Sequence, residues 1–297
     1  MATRAILNKR PKMKIVVNSG NIGNPVAEEL AGLGAEVFIG SRAPKPSPRW
    51  DMLGIRQVPF DPNDSASMAT ALKGADAFFS VTPLIENLVE AGTKAVLAAK
   101  AAGVRRIVRS SALGATPNAA TRLSRWHYEV EKVVRDCGIP FTILRPTNFM
   151  QNYLGYGFPE TIKAKDTFFS PLASAKVSVI DTRDVSAVAV RVLTEPAHEG
   201  NSYNLTGGES LSGDDIAASF SSALGRKITH VSIPESMAIR GLAAAGVPPW
   251  MVEMLGELNI LGKAGHLAAV KPDVEQVLKR KPITFARFLQ DNLASFK

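Results

Sequence analysis

Cysteine is almost missing from this 297-residue sequence. Cys137 stands alone, which excludes an intramolecular disulfide and fits a reducing compartment. Histidine is scarce as well: His127, His198, His230 and His266 are scattered without metal-ligand spacing, so no metal site is expected. No apolar run approaches the length needed to span a bilayer, and no signal peptide is apparent, so a cytoplasmic protein without membrane contact is expected. Acidic residues are in the minority, and the formal net charge is +8. Five of those charges sit on Arg4, Lys9, Arg10, Lys12 and Lys14 with no acid among them, leaving the rest of the chain at only +3. With no zinc-finger spacing and no aromatic RNA platform, the charge gives no reason to expect nucleic acid. Residues 1–13 read as a basic, disordered extension.

What the chain does contain is an apolar fraction of 45%, enough for one large core and a smaller lobe. Residues 14–42 are its most informative stretch. A short β-branched run at 15–17 reads as a strand buried on both faces. Asn18 and Ser19 lead into Gly20-Asn21-Ile22-Gly23, where glycines let the backbone turn sharply and approach a ligand. A helix starting near Ile22 aims free N–H groups and a positive dipole end at that turn, which suits a pyrophosphate. Pro25 falls in the first helical turn, where its missing N–H costs nothing.

The second strand decides the coenzyme. A site for NAD(H) usually carries a carboxylate about 20 residues beyond the glycines, to bind the ribose 2′-hydroxyl. Here that place is Gly40, followed by Ser41 and Arg42. A hydroxyl and a guanidinium would hold a 2′-phosphate, so NADP(H) is preferred over NAD(H).

Further strands are expected at 55–60, 75–81, 106–111 and 141–144, with helices at 84–102 and 122–136. Asp61, at a strand end, could meet an adenine edge. Gly20, Arg42, Thr82 and Ser111 all fall beyond the carboxyl ends of strands, where such sheets bind ligands. Alternation of strands and helices predicts an α/β fold, a Rossmann-type doubly wound parallel sheet. A smaller C-terminal α+β substrate lobe is expected beside it. The expected boundaries are 14–155 for the nucleotide-binding domain, with 177–200 returning to it, and 156–176 plus 201–297 for the lobe. Asp181 and Asp184, at the start of a helix after strand 177–180, serve equally well as caps or as reacting acids. An apolar, Met-rich stretch from 237 to 261 suits either a bulky, flat substrate or ordinary helix core. A closing helix is expected at 282–296.

The chain resembles the NmrA-like branch of the atypical short-chain dehydrogenases/reductases. The likeness is carried by Gly20-Asn21-Ile22-Gly23, Ser110-Ser111-Ala112-Leu113-Gly114, His127 with Glu131, and Arg145-Pro146-Thr147-Asn148-Phe149. It implies NAD(P)(H) binding, by either reductases or redox-sensing regulators. Carried over, Gly20, Asn21, Ile22, Gly23 and Arg42 would hold phosphates, Thr82 and Pro83 would line the path to the nicotinamide, and Pro146, Thr147, Asn148 and Phe149 would border its ring.

Two departures stand out. The bend after Val17 is about two residues shorter than the family's Thr-Gly-Ala-Thr form. The tyrosine and lysine of the usual catalytic pair are replaced, aligned through Glu131, by Leu123 and His127. Tyr128 and Lys132 do repeat the spacing, but one residue along a helix is about 100° of rotation, so both pairs cannot face a coenzyme. His127 is the preferred candidate, as an imidazole that donates a proton or binds the ribose near neutral pH; Tyr128 and Lys132 are the alternative. The leading reading is an NADPH-dependent reductase of a small apolar or aromatic acceptor such as a quinone or dye. The competing reading is a non-catalytic NADP(H) sensor acting through a protein partner, and a homodimer stays open.

Overall fold

The computed structural model describes residues 12–297, so the expected basic extension lies outside the described residues except for its last two positions. In chain order the elements are β1 (Lys14–Asn18), α1 (Gly23–Gly32), β2 (Glu36–Ser41), α2 (Pro48–Met52), β3 (Arg56–Pro59), α3 (Ser65–Leu72), β4 (Ala77–Val81), α4 (Leu88–Ala101), β5 (Arg106–Ser110), α5 (Arg122–Asp136), β6 (Phe141–Pro146) and β7 (Asn148–Phe149). A 3-10 turn at Met150–Leu154 follows, then α6 (Phe158–Lys165), β8 (Thr167–Ser170), β9 (Val177–Ile180), α7 (Thr182–Thr194), β10 (Ser202–Leu205) and β11 (Ser210–Leu211). The chain continues through α8 (Gly213–Leu224), β12 (Thr229–Ser232), α9 (Glu235–Ala244), α10 (Pro249–Lys263), α11 (Asp273–Leu278) and α12 (Phe285–Asp291).

A seven-stranded sheet runs in the order β10-β6-β5-β4-β1-β2-β3, the doubly wound arrangement expected from the alternation of elements. β1 pairs in parallel with both neighbours, Val17 opposite Ile39 on β2 and Phe79 on β4. Ile15, Val16 and Val17 are completely buried, which is why this strand reads as an unbroken β-branched run. Residues 202–205 form β10, an edge strand of this sheet. β10 pairs in parallel with β6, Ser202 opposite Ile143 through Leu205 opposite Pro146. A four-residue strand carries no pattern that says which sheet it joins.

Two compact units are distinguished. The first holds the chain up to Ser110 together with Lys132–Thr142 and Val192–Asn201. Within it, Arg106 donates to the carbonyls of Val192, Leu193 and Glu195 and pairs with Glu199, holding the end of α7 to β5. α4 begins at Leu88, later than the expected 84, because the chain first turns after Pro83, closed by a Leu88 N–H to Ile85 carbonyl bond.

The second unit comprises Ser111–Glu131, Ile143–Arg191 and Ser202–Lys297. It contains a three-stranded sheet, β11-β9-β7, and a parallel pair, β12-β8. Its core is aromatic: Phe168, Phe220, Phe285, Phe288 and Phe296 are buried, with Tyr153 packed 5.0 Å from the Phe285 ring. Burial pushes the Tyr153 phenol well above its usual range. The two acids at the start of α7 are both hydrogen-bonded. Asp181 accepts from the Arg183 N–H at 2.9 Å as a cap, and Asp184 accepts from Arg280 and the Ile283 N–H, both at 2.7 Å, pinning the C-terminal segment. That segment departs from the expected single closing helix. Thr284 caps α12, which stops at Asp291 before a 3-10 turn at Leu293–Ser295. The Met-rich stretch is two helices, broken at Gly246 (φ +78°) and Pro248; Met254 is fully buried while Met237 is half exposed. Among the described residues no helix is long and apolar enough to cross a membrane.

Candidate functional site

The bend between β1 and α1 is built from four residues, 19–22, and glycine is obligatory at two positions. Gly20 has φ +149°, and a β-carbon on Gly23 would overlap the Asn18 carbonyl. A residue that the motif reading passed over, Asn24, closes the bend. Its Oδ1 accepts from the Gly20 N–H at 2.9 Å and from the Ser19 hydroxyl at 3.1 Å, while its own N–H returns to the Gly20 carbonyl at 2.9 Å. An Asn four residues past the first glycine is the signal that could have revealed it. Ile22 is buried beneath the bend and Asn21 is exposed on it.

Asn18 turns its side chain into the sheet, its Oδ1 accepting from the Val81 N–H at 3.2 Å. It therefore ties together the ends of β1 and β4. The Ser19 N–H donates to the Gly40 carbonyl at 2.8 Å, joining the bend to the end of β2.

These strand ends open into a cleft of about 300 Å³. Asn18, Ser19, Ser41, Arg42, Asp61, Thr82 and Pro83 line it, so seven expected site residues of the first unit are brought together. Phe60, Ile85 and Asn87 join them, which the motif reading did not foresee. Gly40 forms part of the wall because a β-carbon there would meet the Phe60 ring within 3.2 Å. Arg42 is exposed at the rim, and no carboxylate stands on β2 beyond Glu36 at its start. Asp61 uses its own carboxylate to accept from the Asn63 N–H at 2.9 Å, holding the turn that leads to α3. Gly20, Asn21, Ile22 and Gly23 do not line this cleft, which reaches the bend at Ser19; its position beside the bend and its basic rim fit a phosphorylated nucleotide. A larger depression, about 940 Å³, lies between α3 and α4, lined chiefly by alanines with Lys73 and Lys94, and holds no convergent groups for chemistry.

The second unit carries the remaining candidates. Ser111 donates from its hydroxyl to Glu131 Oε1 at 2.6 Å. Arg145 grips the same carboxylate through Nε at 2.8 Å and Nη2 at 2.6 Å, a bidentate pair with Glu131 fully buried. That hydrogen bond raises the Arg145 pKa against the opposing effect of burial. Thr147 is likewise occupied, its hydroxyl donating to the Ser178 carbonyl at 3.2 Å. Asn148 and Phe149 form β7, opposite Val179 and Ile180. His127 is half-buried on α5, one turn before Glu131, and Tyr128 is half-buried; Lys132, which belongs to the first unit, is exposed. Trp126 packs 6.3 Å from Trp250 of α10, and Glu257 accepts from the Arg122 N–H at 2.5 Å, tying α10 to the start of α5. Among the described residues no cluster of His, Cys, Asp and Glu could hold a metal ion.

Comparison with known proteins gives these arrangements a context. A family model described as the NmrA-like family matches residues 10–289. The chain is 37% identical over 243 residues to an NAD(P)H azoreductase of Xenophilus azovorans, covering 82% of this chain and 84% of that protein. It is 28% identical over 257 residues to quinone oxidoreductase 2 of Escherichia coli (strain K12), covering 84% and 87%. Among solved structures, the Citrobacter sp. triphenylmethane reductase complexed with NADP(H) shares the fold at a TM-score of 0.83 and 20% identity, covering 94% of this chain and 99% of that one.

Proposed function

The chain belongs to the NmrA-like family, and from that premise we propose that it is an NADPH-dependent oxidoreductase passing hydride to a conjugated, apolar acceptor of the quinone or dye type. The observation that carries this reading is the cleft beside the glycine bend, with Ser41 and Arg42 standing where an NAD(H) site would carry a carboxylate. Bound there, NADPH supplies the hydride. Gly20, Asn21, Ile22 and Gly23 would hold the diphosphate at the bend. Ser41 and Arg42 would take the 2′-phosphate, and Asp61 would meet the adenine edge. Thr82 and Pro83 would line the path towards the nicotinamide. Asn18 and Ser19 hold the bend's shape.

His127 is assigned the proton transfer to the acceptor, a role for which the imidazole is the usual side chain. A delocalised acceptor spreads the arriving charge, so a tuned tyrosine is less necessary and orientation in a water-poor pocket carries more of the work. Azo and quinone acceptors are favoured by the azoreductase and quinone oxidoreductase named above.

One observation favours a second reading, a sensor that binds NADP(H) without turnover. The Ser111 hydroxyl is committed to Glu131, and Leu123 holds the place of the usual tyrosine. Following NADPH consumption with a panel of azo dyes and quinones separates the two. Turnover that drops in His127→Ala supports the reductase; tight binding of NADPH with no turnover on any acceptor favours the sensor.

A further inference from the structure

Arg109 lies at the centre of β5 and is completely buried, an expensive place for a guanidinium unless its donors are used. Its Nη1 donates to Thr82 Oγ1 at 2.6 Å, and more distantly to Ser80 Oγ and the Ser80 carbonyl, at 3.4 and 3.5 Å. Ser80 is its register partner on β4, so the side chain runs along the sheet towards the strand's carboxyl end. Thr82 lines the nucleotide cleft together with Ser19 and Arg42.

The polarity of this contact is fixed by chemistry. A guanidinium has donors only, so Thr82 must be the acceptor, and its own hydroxyl hydrogen is left to point elsewhere. A charged donor on the oxygen also polarises that O–H bond and makes it a stronger donor. We propose that Arg109 is a positioning residue for the bound coenzyme: it holds Thr82 as an obligate hydrogen-bond donor to an acceptor oxygen of the nucleotide. Resting on the coenzyme reading above, this adds a selectivity that the glycine bend cannot supply, because it rejects ligands that present a donor at this point of the cleft.

The experiment is a fluorescence titration of NADPH against the full chain and its variants. Thr82→Val, which keeps the shape and removes the hydroxyl, should lower Tm because the buried Arg109 loses its shortest acceptor, and well below that Tm should weaken binding roughly tenfold; Thr82→Ser should restore both. Arg109→Met should weaken binding similarly, and Thr82→Val on that background should add little, since the two side chains act as one unit. Thr82→Val binding as tightly as wild type, or independent, additive losses in the double variant, would overturn the proposal while leaving the coenzyme reading intact. Wild-type protein that shows no NADPH signal at all would instead overturn both. Should Arg109→Met fail to fold, the Thr82→Val and Thr82→Ser comparison still decides.

Discussion

A β-carbon placed on Gly23 would lie 1.8 Å from the backbone oxygen of Asn18, far inside any tolerable contact. The start of α1 and the end of β1 therefore touch backbone to backbone, and the bend between them is tight because nothing separates the two elements. Asn24 then takes the Gly20 N–H and the Ser19 hydroxyl on one oxygen, which braces the bend.

Gly23→Ala should consequently push α1 away from β1. We expect a loss of about 1–3 kcal/mol from overpacking, read as a lowered denaturation midpoint, together with loss of NADPH binding. An alanine variant with wild-type stability and affinity would show that the bend is looser than its geometry implies.

Asn24→Ala removes the brace without adding bulk. The expected cost is about 1 kcal/mol of stability and a raised KM for NADPH with kcat little changed. Asn24→Asp keeps an acceptor but brings negative charge to the diphosphate end of α1, so its KM for NADPH should rise at least as far. Steady-state kinetics on the two variants separates bracing from charge.

Arg42→Glu tests the coenzyme preference. A carboxylate at the rim repels a 2′-phosphate and accepts from a 2′-hydroxyl, so kcat/KM should fall for NADPH and hold or rise for NADH. The ratio of the two should move by roughly tenfold or more, the range of one charged hydrogen bond. An unmoved ratio would mean that Arg42 only solvates the rim.

Glu131→Ala leaves Arg145 and Ser111 without their shared carboxylate. Breaking such a buried pair costs about 3–5 kcal/mol, measurable by chemical denaturation. Ser111→Ala should cost far less, since Arg145 keeps its bidentate partner. If Ser111→Ala instead abolishes turnover at unchanged stability, Ser111 has a role beyond this cluster.

The C-terminal pin should be acid-sensitive. Hydrogen bonds from Arg183 and then Arg287 hold the Asp291 carboxyl below the usual carboxylate range. Unfolded chains bind that proton more readily than the folded protein does, so this contribution is present above the ordinary aspartate range and is lost as pH falls through the lowered folded value. Asp291→Asn should lower Tm modestly at neutral pH and leave it nearly unchanged in acid, so that the fall of Tm with acidification becomes shallower. An identical acid profile would assign the sensitivity to other carboxylates.

Much of this protein is written locally. β1, α5 and β9 could be read almost to the residue because hydrophobic period and flanking turn residues act within a few positions. The glycine bend, the helix that follows it and the Ser41-Arg42 pair were legible for the same reason, since each belongs to one continuous supersecondary unit. The partners of those residues were not. Nothing in the order of residues says that Asn18 would bond Val81, that Ser111 and Arg145 would share Glu131, or that Arg109 would stand beneath Thr82. These pairings are made across strands and helices 14 to 63 positions apart. They depend on register and on the direction of each side chain, which burial of the whole sheet decides and no local window contains. For the same reason the pairing of β10 with β6 was not legible: a short strand takes the edge that is free for it, and only the assembled fold determines which edge that is.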